Sequence, residues 1–374
     1  MLTAPPTDIF ILVDTSGSFF DDLPNFKAQV PTIISTLKAS NPNTRFGLGS
    51  FEDYPIMPFG DPGSGDVAYR RNIDLTFDTA AVEAVINGLF TRSGFDLPQS
   101  QLPALYQAAS GNGQDLSGIG FPGASIPAGQ QANFRNGATK LFLLWTDAAF
   151  HLPGDPGSTP YPGPSFADTV AAILALDPPK VIGISSGGVG VADLQAMAAA
   201  TNAFAPPGGV DCNADGIVDL PEGAPLVCTI ATTGAGIGSA IIAVVEAAAE
   251  PEPISITVDI KPGSGNNCIQ PKSRGVISVA VLGSTVDVTQ IDLQTIQIDD
   301  DGDLSTAGVS PERSSFEDVD GDGTIDLVLK FRTQELNTAG MFSNGDSLFI
   351  TGGLQDGQQI RGSDSISLVP KCHE

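Results

Sequence analysis

Apolar and polar positions along this chain follow two rhythms, and the change between them falls near residue 250. Before it, short unbroken apolar runs alternate with longer segments whose apolar positions recur every three or four residues. The runs at 9–13, 45–51, 140–146, 181–185 and 226–231 have the length of strands buried on both faces. The periodic segments at 23–39, 79–89, 102–109, 165–176, 191–202 and 237–249 read as helices. Such alternation predicts a doubly wound α/β domain over 1–250 with a parallel sheet, and ligands of such sheets sit beyond the carboxyl ends of the strands. Asp14 and Asp147 stand there. In the first helix Phe26, Val30, Ile33 and Leu37 keep helical spacing while Pro31 lies near the middle, so a break at Pro31 is expected.

Glu250-Pro251-Glu252-Pro253 cannot continue a helix and reads as a short stiff linker. Beyond it come brief alternating runs such as ITVDI, VISVAVLG, DLVLKF and SLFITGG, separated by Gly, Asn and Asp. That pattern predicts an all-β sandwich domain over 254–374.

Composition narrows the partners. With 43 acidic against 17 basic side chains and a net charge of −26, the chain repels nucleic acid and anionic lipid and favours divalent cations. The apolar run 230–249 is interrupted by Gly234, Gly236 and Gly238 and carries Glu246, so it is expected to be a buried helix and not a membrane span. No targeting signal is visible in MLTAPPTD. The four cysteines lack CxxC spacing, and the favoured pairing of the three possible is Cys212 with Cys228 and Cys268 with Cys372, which places the chain in an oxidising, extracellular setting. Histidine occurs only at positions 151 and 373 and there is no GxSxG elbow, so no enzyme is expected.

The chemistry begins in DIFILVDTSGSFFDD, 8–22, where a strand runs into Asp14, Ser16 and Ser18. One carboxylate and two hydroxyls at alternate positions of a tight loop can turn their oxygens to one point, a pattern suited to a hard cation. SFEDYP at 50–55, FDLPQSQ at 95–101 and FRNGATKLFLLWTDAAFHLPGD at 134–155 follow in order. With these motifs the segment 7–249 resembles the I-like domain of integrin β subunits, a von Willebrand factor A relative.

The resemblance implies a Mg2+ adhesion site at Asp14, Ser16, Ser18, Gln99 and Asp147, which takes a carboxylate of a protein partner as its last ligand. Gln99 departs from the family's Glu and removes one charge. An adjacent Ca2+ site is implied at Asp21 and Asp22, again leaning on Asp147. A third site is expected to be empty, because Gly94 and Gln99 replace two of its ligands although Asp96 survives. A first helix broken at Pro31 would correspond to the family's closed state.

An insert at 206–228, which this pattern does not require, holds DCNADGIVDLPE. Asp211, Asn213, Asp215, the Ile217 carbonyl, Asp219 and Glu222, with Gly216 for the turn, meet every position of a calcium loop. In the β domain Asp318, Asp320, Asp322, the Thr324 carbonyl and Asp326 repeat the first part of that loop. Leu329 stands where its last Glu would be, and Asp299, Asp301 or Asp303 could supply the missing oxygen. This domain, with VDIKPGS and EDVDGDGTIDLVL, is similar to a module of bacterial secreted proteins. The expected function is an extracellular bacterial adhesion module, the alternative a calcium-stabilised matrix or surface-layer protein.

Overall fold

A computed structural model describes residues 5–153, 160–177, 179–249, 253–302, 307–342 and 347–369, which fall into two compact units divided near residue 250. In the first unit the apolar runs become β1 (Thr7–Asp14), β2 (Thr44–Phe51), β4 (Thr139–Thr146), β5 (Lys180–Ser186) and β6 (Val227–Ile230). Between β2 and β4 lies a strand that the hydrophobic pattern misses, β3 (Arg70–Thr76). It pairs antiparallel to β2 at the sheet edge, which makes the sheet mixed and not wholly parallel. An edge strand packs against one neighbour only, so RRNIDLT can be mostly polar and half-buried where a central strand cannot. Every residue of β1 is buried.

The sheet order β3-β2-β1-β4-β5-β6 reverses direction between β1 and β4. Their carboxyl ends therefore form the crevice that an open α/β sheet offers a ligand. Helices α1 (Asp22–Ser40), α2 (Thr79–Asn87), α3 (Gln101–Ser110), α4 (Phe166–Leu174), α5 (Val191–Ala200) and α6 (Ile237–Ala249) connect the strands. Helix α6 buries Ile237, Ile241, Val244 and Val245 in the core of this unit. Among the described residues no helix is long and apolar enough to cross a membrane.

Helix α1 runs unbroken through Pro31, contrary to the expected interruption. Pro31 is exposed, so the carbonyl that loses its donor can turn to water, while Phe26, Val30, Ile33, Ile34 and Leu37 bury one continuous stripe. The chain instead changes helix type before α1, where a 3-10 turn at Gly17–Phe20 precedes Asp21.

The second unit contains β7 (Ile254–Ser255), β8 (Val258–Ile260), β9 (Cys268–Ile269), β10 (Val276–Val281) and β11 (Gln297–Asp299). They are followed by β12 (Arg313–Glu317), β13 (Asp326–Arg332), a short helix α7 (Thr333–Thr338), β14 (Ser347–Gly353), β15 (Gln359–Ser365) and β16 (Ser367–Leu368). One sheet has the order β12-β13-β10-β8, another β11-β14-β15-β7. Val279, Val281, Leu327 and Leu329 from the first share a core with Ile298, Ile350 and Ile360 from the second. Cys212 and Cys228 form a disulfide that staples the insert to β6. Cys372, the expected partner of Cys268, and Asp303 lie outside the described residues.

Candidate metal centre

Asp14 ends β1 and is fully buried. Its Oδ1 accepts the Ser16 backbone N–H at 2.8 Å, which folds the loop back over the strand end. Its Oδ2 accepts the Thr146 hydroxyl at 2.6 Å, and Thr146 is oriented in turn by the Gln101 amide at 2.9 Å. The hydroxyls of Ser16 and Ser18 lie 3.1 Å apart, and Ser18 donates to Asp147 Oδ1 at 3.0 Å. Through the Ser16 N–H and the two serine hydroxyls, Asp14, Ser16, Ser18 and Asp147 are thus joined in one network across the switch point.

Gln99 belongs to the same wall. Its backbone is stitched to the segment after Asp147, the Gln99 N–H donating to the Ala149 carbonyl and the His151 N–H to the Gln99 carbonyl, each at 3.0 Å. The side chain is only 4% exposed, so it does not point to solvent, and its Oε1 has no hydrogen-bond partner.

The electrostatics favour a cation. Burial, with the charge of Asp147 beside it, pushes Asp14 up to about 7. Burial likewise pushes Asp22 up to about 7 despite the Ser186 hydroxyl at 2.5 Å, with Asp147 and Asp21 adding to the rise. Asp147 is also raised, first by burial. Among the described residues no Lys, Arg or His forms an ion pair with these three carboxyls. A divalent ion would compensate such charges. Asp22 is turned inward to Ser186, which also accepts the Trp145 indole N–H at 3.0 Å. Its buried Oδ2 has no hydrogen-bond partner, so that oxygen is the one left for an adjacent cation.

A cluster absent from the sequence reading occupies the region of the third site, expected to be empty. Nε2 of His151 lies 3.0 Å from Asp53 Oδ2 and 3.1 Å from Asp96 Oδ2. The imidazole stacks on Tyr161 with ring centres 4.3 Å apart. Asp53 is fully buried and raised by that burial, although His151, Ser100 and the Tyr54 N–H all favour its charged form. One imidazole nitrogen with two carboxylates is a donor set that a divalent metal accepts. Asp53 and His151 lie far apart in sequence, so no spacing rule links them to Asp96.

The insert loop folds around its acidic residues. Asp211 accepts the N–H groups of Asn213, Ala214, Asp215 and Gly216, which holds its carboxyl below the ordinary value. Asn213 accepts from Asp215, Asp215 from Ile217, and Asp219 from Cys212. In the second unit Asp318 accepts from Gly321 and Gly323, Asp320 from Asp322, Asp322 from Thr324, and Asp326 from Val319. From the first, third, fifth and ninth positions the two loops therefore share one pattern. Positive φ recurs at their fourth and sixth positions, Ala214 and Gly216 in one, Gly321 and Gly323 in the other.

The ligand atoms of Asp318, Asp320 and Asp326 lie within 4.8 Å of one another. Leu329, at the twelfth position, is buried in β13 and offers no oxygen. Both carboxyl oxygens of Asp299 are already engaged, accepting from the Gly302 N–H and from the Thr351 hydroxyl. The acid that feels Asp320 is instead Asp259 on β8, raised by burial and then by Asp364 and Asp320.

The mixed sheet, the helices and the polar loop at the switch point define a von Willebrand factor A-like domain. The family profile described as integrin beta chain VWA domain matches residues 2–115. Integrin beta pat-3 of Caenorhabditis elegans is 25% identical over 162 residues, 40% of this chain and 18% of that protein. Integrin beta-1 of Gallus gallus is 26% identical over 164 residues, again 40% of this chain and 18% of that protein. The chain thus matches less than a fifth of the length of these curated relatives. A solved structure of proximal thread matrix protein 1 from the mussel byssus aligns over 66% of this chain and 48% of its own, with 14% identity and a TM-score of 0.39.

Proposed function

We propose that this protein is an extracellular, metal-dependent adhesion or interaction module and not an enzyme. The observation that carries the reading is the joined network of Asp14, Ser16, Ser18 and Asp147 at the switch point, whose carboxyls form no ion pair with Lys, Arg or His among the described residues. These residues and Gln99 would hold Mg2+, which supplies an open position for a carboxylate oxygen of a protein partner. Thr146 and Gln101 keep Asp14 aimed, and the Ser16 N–H closes the loop. Asp21 and Asp22 would hold an adjacent Ca2+. The disulfide supports an oxidising compartment, and the shared core of the two second-unit sheets supports a β-sandwich.

Because Asp14 is buried, Asp14→Ala leaves Ser16 N–H and Thr146 without an acceptor and is expected to cost about 1–3 kcal/mol. The test therefore pairs it with Asp14→Asn, which retains an oxygen. Both variants should lose Mg2+-dependent binding of an acidic peptide while their circular dichroism stays native. Unchanged binding in a folded variant would end the adhesion reading. A second reading, a calcium-stabilised matrix or surface-layer protein, is favoured by the matched loops of the two units. Saturable, EDTA-sensitive peptide binding separates the two.

A further inference from the structure

Large apolar side chains stand exposed at the same end of the sheet as the proposed metal site. Phe20 is 68% exposed, Phe95 50%, Leu97 83% and Val189 52%. Three of them sit beside the site in the chain. Phe20 ends the 3-10 turn that contains Ser18, and Phe95 and Leu97 lead into Gln99. Val189 follows β5, where its carbonyl accepts the Ser185 hydroxyl at 2.9 Å.

The loop carrying Phe95 and Leu97 is fixed to the strand ends by backbone bonds, Arg92 N–H to Thr15, Phe95 N–H to Phe59, Gln99 N–H to Ala149 and Ser100 N–H to Glu52. At this end Arg92 stacks on the exposed Phe90 at 4.2 Å from its ring. Phe77, also exposed, is covered by Lys38 and Arg135 at 5.3 and 5.1 Å from its ring. Among the described residues no cation stacks on Phe20 or Phe95.

Charge says what could cover this rim. The protein carries a net charge of −26, which opposes an acidic partner at long range. Arg70 and Arg92, at this end, are both held on buried Glu52 at 2.6 and 2.7 Å. Attraction must then come from the metal at the centre and from apolar contact around it. Scattered single apolar residues need no explanation, but a group flanking a polar centre marks an interaction surface.

We infer that the partner segment is a carboxylate flanked by large apolar side chains, the carboxylate seated at the metal and its neighbours on the rim of Phe20, Phe95, Leu97 and Val189. This rests on the proposed adhesion reading. Fluorescence anisotropy of the full chain in Mg2+ with two labelled peptides of equal charge, one aspartate flanked by leucines and one by serines, tests it.

The leucine peptide should bind at least about tenfold more tightly, the worth of one well-buried side chain. The Phe95→Ser, Leu97→Ser double variant should erase that preference and leave both the serine peptide and calorimetric Mg2+ binding unchanged. EDTA should abolish binding of either peptide. Equal affinities that the variant does not alter would overturn the rim while sparing the metal–carboxylate reading. Binding that survives EDTA would overturn that reading, and the inference with it. Failure of both peptides to bind a chain that does bind Mg2+ would overturn both.

Discussion

Gln99 sets the charge around the proposed Mg2+. Its buried Oε1 has no donor, so replacement by a carboxylate would place a second charge against the ion without a change of volume. Gln99→Glu is expected to raise Mg2+ affinity about tenfold or more, read by calorimetry. No gain would show that position 99 does not touch the ion. The same substitution should lower the stability of the metal-free protein, since another buried acid would join Asp14, Asp22 and Asp147. Sequence named Gln99, Asp14 and the serines because they are close in the chain or carry a motif. Asp53 and His151 escaped because only the fold brings Nε2 of His151 to 3.0 Å from Asp53.

Two elements make separable predictions. Pro31 sits in an unbroken α1, so its missing donor is a standing cost and not a hinge. Pro31→Ala should therefore stabilise the fold by up to about 3 kcal/mol in denaturant unfolding and leave Mg2+ affinity unchanged. At the opposite end of β1 the fully buried Asp8 accepts two bonds from the Arg45 guanidinium, at 2.9 and 2.6 Å, and the Arg135 backbone and Nε at 2.8 and 2.9 Å. Burial would raise this carboxyl, but the arginine bonds outweigh it and hold the group below its ordinary 3.8. Its contribution is therefore complete above that value and is lost as pH falls through the lowered folded value. Asp8→Asn should cost about 3 kcal/mol at neutral pH, with a flatter acid limb between the two values in pH-dependent unfolding.

At the scale of the whole molecule, calcium is expected to stabilise both units. The loops at 211–222 and 318–326 share a hydrogen-bond pattern in units of different architecture, which marks the loop geometry as local. Chelation should lower the unfolding temperature. Saturation at a hundred times Kd is worth about 2.7 kcal/mol per site. Asp211→Ala and Asp318→Ala should each remove one calcium in calorimetry, and neither loss in either variant would show that the loops are turns only.

Short-range order determined much of this protein. Buried strands, periodic helices and the calcium-loop spacing are set by neighbours in the chain, so they can be read from it; residues 250–252 of the expected linker lie outside the described residues. Tertiary structure decided the rest. The polar strand β3 exists because β2 offers it an edge, and α1 survives Pro31 because its apolar stripe is buried as a unit. Asp53, Asp96 and His151 meet because segments distant in sequence converge at the strand ends, and Asp22 turns inward because Ser186 waits on β5. Periodicity reports which face of an element is buried but carries no record of which other element it will meet.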